Sequence, residues 1–121
     1  MPTKCIMTVD DSITVRQMVS NALREAGYEV IEAVDGSDAL TKLVEDIALV
    51  LCDVNMPMMD GLTLVKHIRA DKRYQYIPIV MLTTETQADR RKLGKEVGAT
   101  GWIVKPFTAE KLVAVVRKFV K

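Results

Sequence analysis

Residues 49–52, Leu-Val-Leu-Cys, are consecutive apolar side chains that run directly into a carboxylate, Asp53. A strand with one wet face alternates apolar and polar residues. A run without alternation reads as a strand buried on both faces, and such strands belong to parallel sheets flanked by helices. Turn chemistry follows at once in Pro57 and Asp60-Gly61, so the chain leaves the sheet as a loop. Asp53 then stands at the carboxyl end of a central strand, where open α/β sheets place their ligands. Taken alone, it is better explained as a capping or turn aspartate after a core strand.

The rest of the chain alternates strand and helix around this segment. Residues 4–9 form a first strand, and Ser12 follows Asp10-Asp11 as a helix cap. Val15, Met18, Val19, Ala22, Leu23 and Ala26 then recur with the spacing of a buried helical stripe, which Gly27 ends. A second strand spans 28–33 and Asp35-Gly36 is a turn. Ala39, Leu40, Leu43 and Val44 mark a second helix, and Leu62, Leu64, Val65 and Ile68 a third. Pro78 opens a fourth strand over 79–82. A fourth helix over 86–97 has a sparse apolar face around Leu93 and contains Gly94, which costs about 1 kcal/mol. A fifth strand over 102–104 precedes Lys105-Pro106, and a last helix from near Thr108 buries Leu112, Val113, Val116, Phe119 and Val120. Strict alternation with short connections predicts an α/β fold: one parallel sheet with helices on both faces.

The 49% hydrophobic and 27% charged shares suit one globular domain, and no apolar run approaches the roughly 20 residues that span a bilayer. Asp10 and Asp11 arrive too early for a signal peptide, which predicts a cytoplasmic protein. Residues 1–60 carry four basic and eleven acidic side chains, whereas 84–121 carry nine basic and four acidic. The first part suits a cation and the second an acidic partner. The overall balance of +1 argues against nucleic-acid binding. Cys5 and Cys52, on parallel neighbours, would lie roughly 13 Å apart along the strands, too far for a disulfide.

The strands end in chemically related groups: Asp10-Asp11, Asp53, Thr83-Thr84 and Lys105-Pro106. A parallel sheet brings all of them to one edge. Two carboxylates 4 Å apart repel by about 4 kcal/mol at an effective dielectric of 20, so three demand a cation or a proton. A hard, oxygen-preferring ion such as Mg²⁺ answers that demand. A phosphoryl group would be held by the ion, the Lys105 ammonium and the Thr83 hydroxyl, with Asp53 as the nucleophile.

The acidic pair Asp10-Asp11, the segment Asp53-Val54-Asn55-Met56-Pro57, Asp60-Gly61, Thr83 and Lys105-Pro106 resemble response-regulator receiver domains, and among them the stand-alone regulators of chemotaxis. The spacings of 30 residues from Asp53 to Thr83 and 22 more to Lys105 resemble the family pattern too. The resemblance covers the whole chain. It implies a doubly wound, five-stranded parallel sheet of flavodoxin type with strand order 2-1-3-4-5. It also implies a single receiver domain over 1–121 with no output domain.

In such a protein Asp53 would accept phosphate from the phosphohistidine of a chemotaxis-type histidine kinase. Asp11, Asp53 and the backbone carbonyl of Asn55 would bind Mg²⁺, with Asp10 acting largely through water. Lys105 would pair with the phosphoryl group. Thr83 would swing toward it and open space for the aromatic residue three before the lysine, here Trp102, where the family more often has Tyr or Phe. Asn55 and Glu85 resemble the choice associated with rapid loss of phosphate, while Thr84 is bulkier than the alanine often found there. Ile47-Ala48 departs from a common Pro-Asp. Output would pass by protein contact through the face made by the fourth helix, fifth strand and last helix. The flagellar motor switch is the leading target, and a phosphate sink or a non-flagellar pathway the alternative. A monomer without nucleic-acid or membrane partners is implied.

Two other classes compete. An aspartate-nucleophile phosphatase needs a second acid two residues after the nucleophile, and Asn55 cannot serve. A flavin module needs a phosphate-friendly loop after the first strand, where Asp10-Asp11 would repel one. The expectation is therefore a phosphorylation switch, and no enzyme beyond its own phosphoryl transfer and autodephosphorylation.

Overall fold

Runs of β-branched and other apolar residues form one sheet from β1 (Cys5–Val9), β2 (Glu29–Ala33), β3 (Ile47–Asp53), β4 (Ile79–Thr83) and β5 (Gly101–Val104). All pairings are parallel, in the order β2-β1-β3-β4-β5. This computed structural model describes residues 4–44, 46–54, 61–83 and 98–120. The helices are α1 (Ile13–Glu25), α2 (Gly36–Lys42), α3 (Gly61–Ala70) and a C-terminal helix (Ala109–Phe119), with a 3₁₀ turn at Lys72–Tyr74. The helix expected over 86–97 lies outside the described residues.

The unbroken apolar run of β3 is explained by its two covered faces. Leu49 and Leu51 pack with Val19 and Leu23 of α1 and with Leu112 and Val116 of the C-terminal helix. Val50 and Cys52 face the other way, toward Ala39 of α2 and Leu64, Val65 and Ile68 of α3. Each fully buried side chain of this size contributes about 1.5–3 kcal/mol, so strand position is fixed chiefly by these two cores. β3 starts two residues before the apolar run, and its pairing with β1 shifts register between Cys5 and Ile6, which skips Ala48.

The helix starts follow capping chemistry. Ser12 Oγ accepts the Val15 N–H at 3.3 Å, and Thr108 Oγ1 accepts that of Lys111 at 3.1 Å. Asp35 caps α2 by accepting the Asp38 N–H, while the Asp38 carboxylate accepts the N–H of Val34, the residue before the cap. Gly36 therefore opens α2 and is not only a turn residue. α2 stops at Lys42, so Leu43 and Val44 lie beyond it, and Val44 is exposed. Gly27, with φ of 99°, turns the chain out of α1 as the sequence suggests. Met18 sits on the margin of the α1 stripe and is exposed, lining a shallow groove with Val15, Pro106 and Phe107. Val113, Phe119 and Val120 are only half-buried.

Val9 pairs with Cys52, four residues beyond Cys5, and both cysteines are free thiols. Burial raises the Cys5 pKa, helped by the charges of Glu29 and Asp46. At the amino edge of the sheet, Arg69 at the end of α3 donates to the carbonyls of Gly98 (3.0 and 2.9 Å), Tyr74 (3.3 Å) and Gln75 (3.2 Å). Burial pulls this guanidinium below its ordinary range. The clasp ties the approaches to β4 and β5 together.

Candidate functional site

The strand register determines what meets at the carboxyl edge. Val9 pairs with Ala33 and Cys52, so Asp10 leaves β1 at the level where β3 ends in Asp53. Asp53 pairs with Leu82 and Thr83 with Val104, which places Thr83 and Lys105 one step further along the same edge. The Lys105 N–H donates to the Thr83 carbonyl at 2.7 Å, fixing the start of the loop that carries the ammonium. The Lys105–Pro106 peptide is cis.

Asp10, Asp11 and Asp53 each bring a carboxylate oxygen within 4.8 Å of the others. Asp10 and Asp53 are buried, whereas Asp11 faces solvent. Lys105 Nζ donates to Asp53 Oδ1 at 3.1 Å and lies 3.5 Å from Asp10 Oδ2. At an effective dielectric of 20, each carboxylate pair at that spacing repels by about 3.5 kcal/mol, and the Lys105–Asp53 pair attracts by about 5 kcal/mol. One ammonium thus offsets the crowding of three carboxylates only in rough measure. Asp10 Oδ2 is buried and makes no hydrogen bond among the described residues. A buried oxygen left that way costs about 1–3 kcal/mol or more, unless something else binds it.

The donors are all hard oxygens, one of the three carboxylates is open to water, and a fourth group is a neighbouring ammonium. That set fits a divalent cation of the Mg²⁺ class, which takes one or two carboxylates and keeps several waters. It also sets a nucleophilic carboxylate, Asp53, beside a fixed positive charge. Thr83 is fully buried at the end of β4. Trp102 is half-buried on β5, paired with Met81 and packed against the core that holds Met81. Asn55, Thr84 and Glu85 lie outside the described residues.

Two residues of this site have roles that the motif does not disclose. Gly61, expected in a loop, is the first residue of α3 and donates its N–H to the Val54 carbonyl at 2.9 Å. A Cβ there would strike the Asp53 carbonyl and come within 2.9 Å of Val54 Cα and 2.7 Å of Met81 Cε. The helix therefore approaches the strand end as closely as only glycine permits. Arg16 is the second. Its Nη1 donates to the Asp10 carbonyl at 2.7 Å and its Nε to Glu32 Oε1 at 3.1 Å. Its phase was the available signal, because Arg16, Ser20 and Leu23 share one side of α1, and the latter two are buried.

With fold and site in view, the comparisons with known proteins agree. The model of the response regulator receiver domain matches residues 6–117. The chain is 44% identical over 110 residues to chemotaxis protein CheY1 of Helicobacter pylori, covering 88% of this chain and 89% of that one. It is 42% identical over 111 residues to a chemotaxis protein CheY homolog of Campylobacter jejuni, covering 88% and 85%. The structure of Vibrio cholerae chemotaxis protein CheY4 superposes with a TM-score of 0.95 at 46% identity, covering 98% of this chain and 100% of that one. The chain belongs to the response regulator receiver domain family and within it is CheY-like. No helix among the described residues is long and apolar enough to cross a membrane.

Proposed function

We propose that this receiver is a stand-alone chemotaxis regulator switched by phosphorylation of Asp53. The observation that carries this is the meeting of three carboxylate oxygens within 4.8 Å, with the Lys105 ammonium 3.1 Å from Asp53. A carboxylate oxygen of Asp53 attacks the phosphorus of a histidine kinase's phosphohistidine. The P–N bond breaks, its electron pair stays on the imidazole nitrogen, and an acyl phosphate forms on Asp53. Lys105, already paired with Asp53, follows the new negative charge onto the phosphoryl oxygens. Asp11, Asp53 and the Asn55 carbonyl would hold Mg²⁺, with Asp10 acting through water. The ion supplies charge neutralisation for the transferring group.

Thr83 and Trp102 are the proposed movers: the hydroxyl turns toward the phosphoryl group and the indole follows inward. Asn55, Thr84 and Glu85 would set the lifetime of the acyl phosphate. The output is contact with a flagellar motor switch protein, or another protein target, through the surface of 86–97, β5 and the C-terminal helix. Support for a chemotaxis role comes from the relatives, which are chemotaxis proteins covered over 85–89% of their own length. Incubation with a small acyl phosphate and Mg²⁺, followed by peptide mapping in a mass spectrometer, tests the chemistry. One phosphoryl group should appear on the peptide that contains Asp53, and none when the divalent ion is chelated. Labelling elsewhere, or labelling indifferent to the ion, would refute the assignment.

A further inference from the structure

Asp10 has four polar atoms, and three of them are held. Its N–H donates to the Ala33 carbonyl at 3.1 Å, its Oδ1 accepts the Ser12 N–H at 2.9 Å, and its carbonyl accepts Arg16 Nη1 at 2.7 Å. Only Oδ2 is left without a hydrogen bond among the described residues, and it is the oxygen that lies beside Lys105. The first two constraints are local consequences of the sheet edge and of the turn into α1. The third comes from a charged side chain reaching back from the end of that helix's first turn.

We infer that Arg16 is a positioning residue for the divalent-ion site, locking the Asp10 peptide so that Oδ2 is presented to the water through which it meets the ion. Its own aim is fixed twice. Its backbone N–H closes the first turn of α1 on the Ser12 carbonyl at 2.9 Å, and its Nε is held by Glu32. Glu32 is in turn approached by Arg24 at 3.6 Å. The guanidinium works in two directions at once, one arm on a carboxylate of β2 and another on the carbonyl of Asp10, the residue that follows β1. A planar guanidinium gives each partner its own nitrogen, Nε for Glu32 and Nη1 for Asp10, whereas a lysine at this position would have to reach both from a single atom. Pairing with Glu32 also offsets the positive charge, so Arg16 can stand near a cation site without strongly opposing the cation. The Arg16 side chain is only 13% exposed, which keeps water from substituting for it at the Asp10 carbonyl.

This inference rests on the proposal that the acidic cluster binds Mg²⁺, and its test separates the two. Calorimetric titration with MgCl₂, in the absence of any phosphodonor, is run on the wild type and on Arg16→Ala, Arg16→Lys and Glu32→Gln. Thermal melts in chelator accompany each titration. Losing an outer partner of a metal ligand typically weakens metal binding about 10–100-fold, and a loss near the lower end, about tenfold, is expected for Arg16→Ala. Arg16→Lys should be no better than Arg16→Ala, because one nitrogen would have to span two partners that Arg16 meets with separate nitrogens. Glu32→Gln should show a smaller loss in the same direction. Wild-type affinity in Arg16→Ala, or full rescue by Arg16→Lys, would overturn the positioning role while leaving the ion site intact. Should Arg16→Ala fail to fold, Arg16→Lys and Glu32→Gln decide the matter: wild-type affinity in both refutes it, and weakened binding in both upholds it. A wild-type protein that takes up no Mg²⁺ would overturn the ion site itself, and the inference with it.

Discussion

At the carboxyl edge of the sheet, Lys105 lies among carboxylates, 3.1 Å from Asp53 and 3.5 Å from Asp10. At the amino edge, Arg69 lies among the backbone carbonyls of Gly98, Tyr74 and Gln75, with no carboxylate partner among the described residues. Both cations are partly shielded from water, yet the edges differ in kind. Around Arg69 a full positive charge spreads over neutral acceptors, each strengthened by that charge, and the result joins two strand approaches. Around Lys105 negative charge is in excess, and Asp10 Oδ2 is buried without a hydrogen bond among the described residues. The first arrangement is complete as it stands. The second becomes favourable only when something further binds, and that difference separates a frame from a site.

The contrast can be broken in several ways. The largest effect belongs to Asp53→Asn, because an amide is a poor nucleophile. Phosphoryl uptake from a small acyl phosphate should vanish in the mass spectrum, and uptake with wild-type kinetics at another residue would remove Asp53 from its role. Next comes Gly61→Ala, which forces backbone or Met81 out of place at the end of β3. Overpacking of this kind costs about 1–3 kcal/mol, read from urea denaturation, and the displaced Asp53 should accept phosphate more slowly as well.

Arg69→Met and Asp10→Asn test the comparison itself, because they should act with opposite sign. Arg69→Met leaves carbonyls of Gly98, Tyr74 and Gln75 short of a charged donor, a loss of about 2 kcal/mol in urea, with Mg²⁺ affinity unchanged. Asp10→Asn removes one of three crowded charges and should stabilise the metal-free protein by about 1 kcal/mol, while weakening Mg²⁺ binding. If both substitutions destabilise the metal-free protein equally, the edges are not different in kind.

The smallest effect lies at the start of α2, just after β2. The Asp38 carboxyl is held below its usual range by the Val34 N–H first and by Lys42 second. A depressed folded-state value means that its contribution is fully present above the ordinary carboxylate range and is lost as pH falls through the lowered value. The stability gap between wild type and Asp38→Asn should therefore be constant near neutrality and close on acidification. Because the group is close to solvent, the gap will be small. A gap that widened toward low pH would contradict the sign.

Much of the carboxyl edge is legible in the sequence, because parallel strands place their last residues side by side and the chemistry there repeats. Asp10, Asp11, Asp53, Thr83 and Lys105 needed only strand ends to be found. Periodicity alone misplaces Met18, at the margin of its stripe, and Val44, beyond the end of α2, and both are exposed. Arg69 and Arg16 were harder for a different reason. Their partners are up to 31 and 16 residues away, and a charged residue on a helix reads as solvated until its reach is known. Gly61 is harder still, because what it contributes is an absent atom.

That absence sets a limit on how the chain can vary. Every single-base change that alters a glycine codon's meaning, short of a stop, installs a side chain, so position 61 has no neutral neighbour one mutational step away. The obstacle is the carbonyl of Asp53 and the Cα of Val54, main-chain atoms shared by any sequence that runs a strand into this helix. A compensating change would have to move backbone, which no exchange of a facing side chain accomplishes. Exchange at Met81, whose flexible tip is the third neighbour, would relieve only the part of the crowding that the side chain causes. In a library covering every substitution, position 61 should be as intolerant as Asp53, although it carries no reacting group.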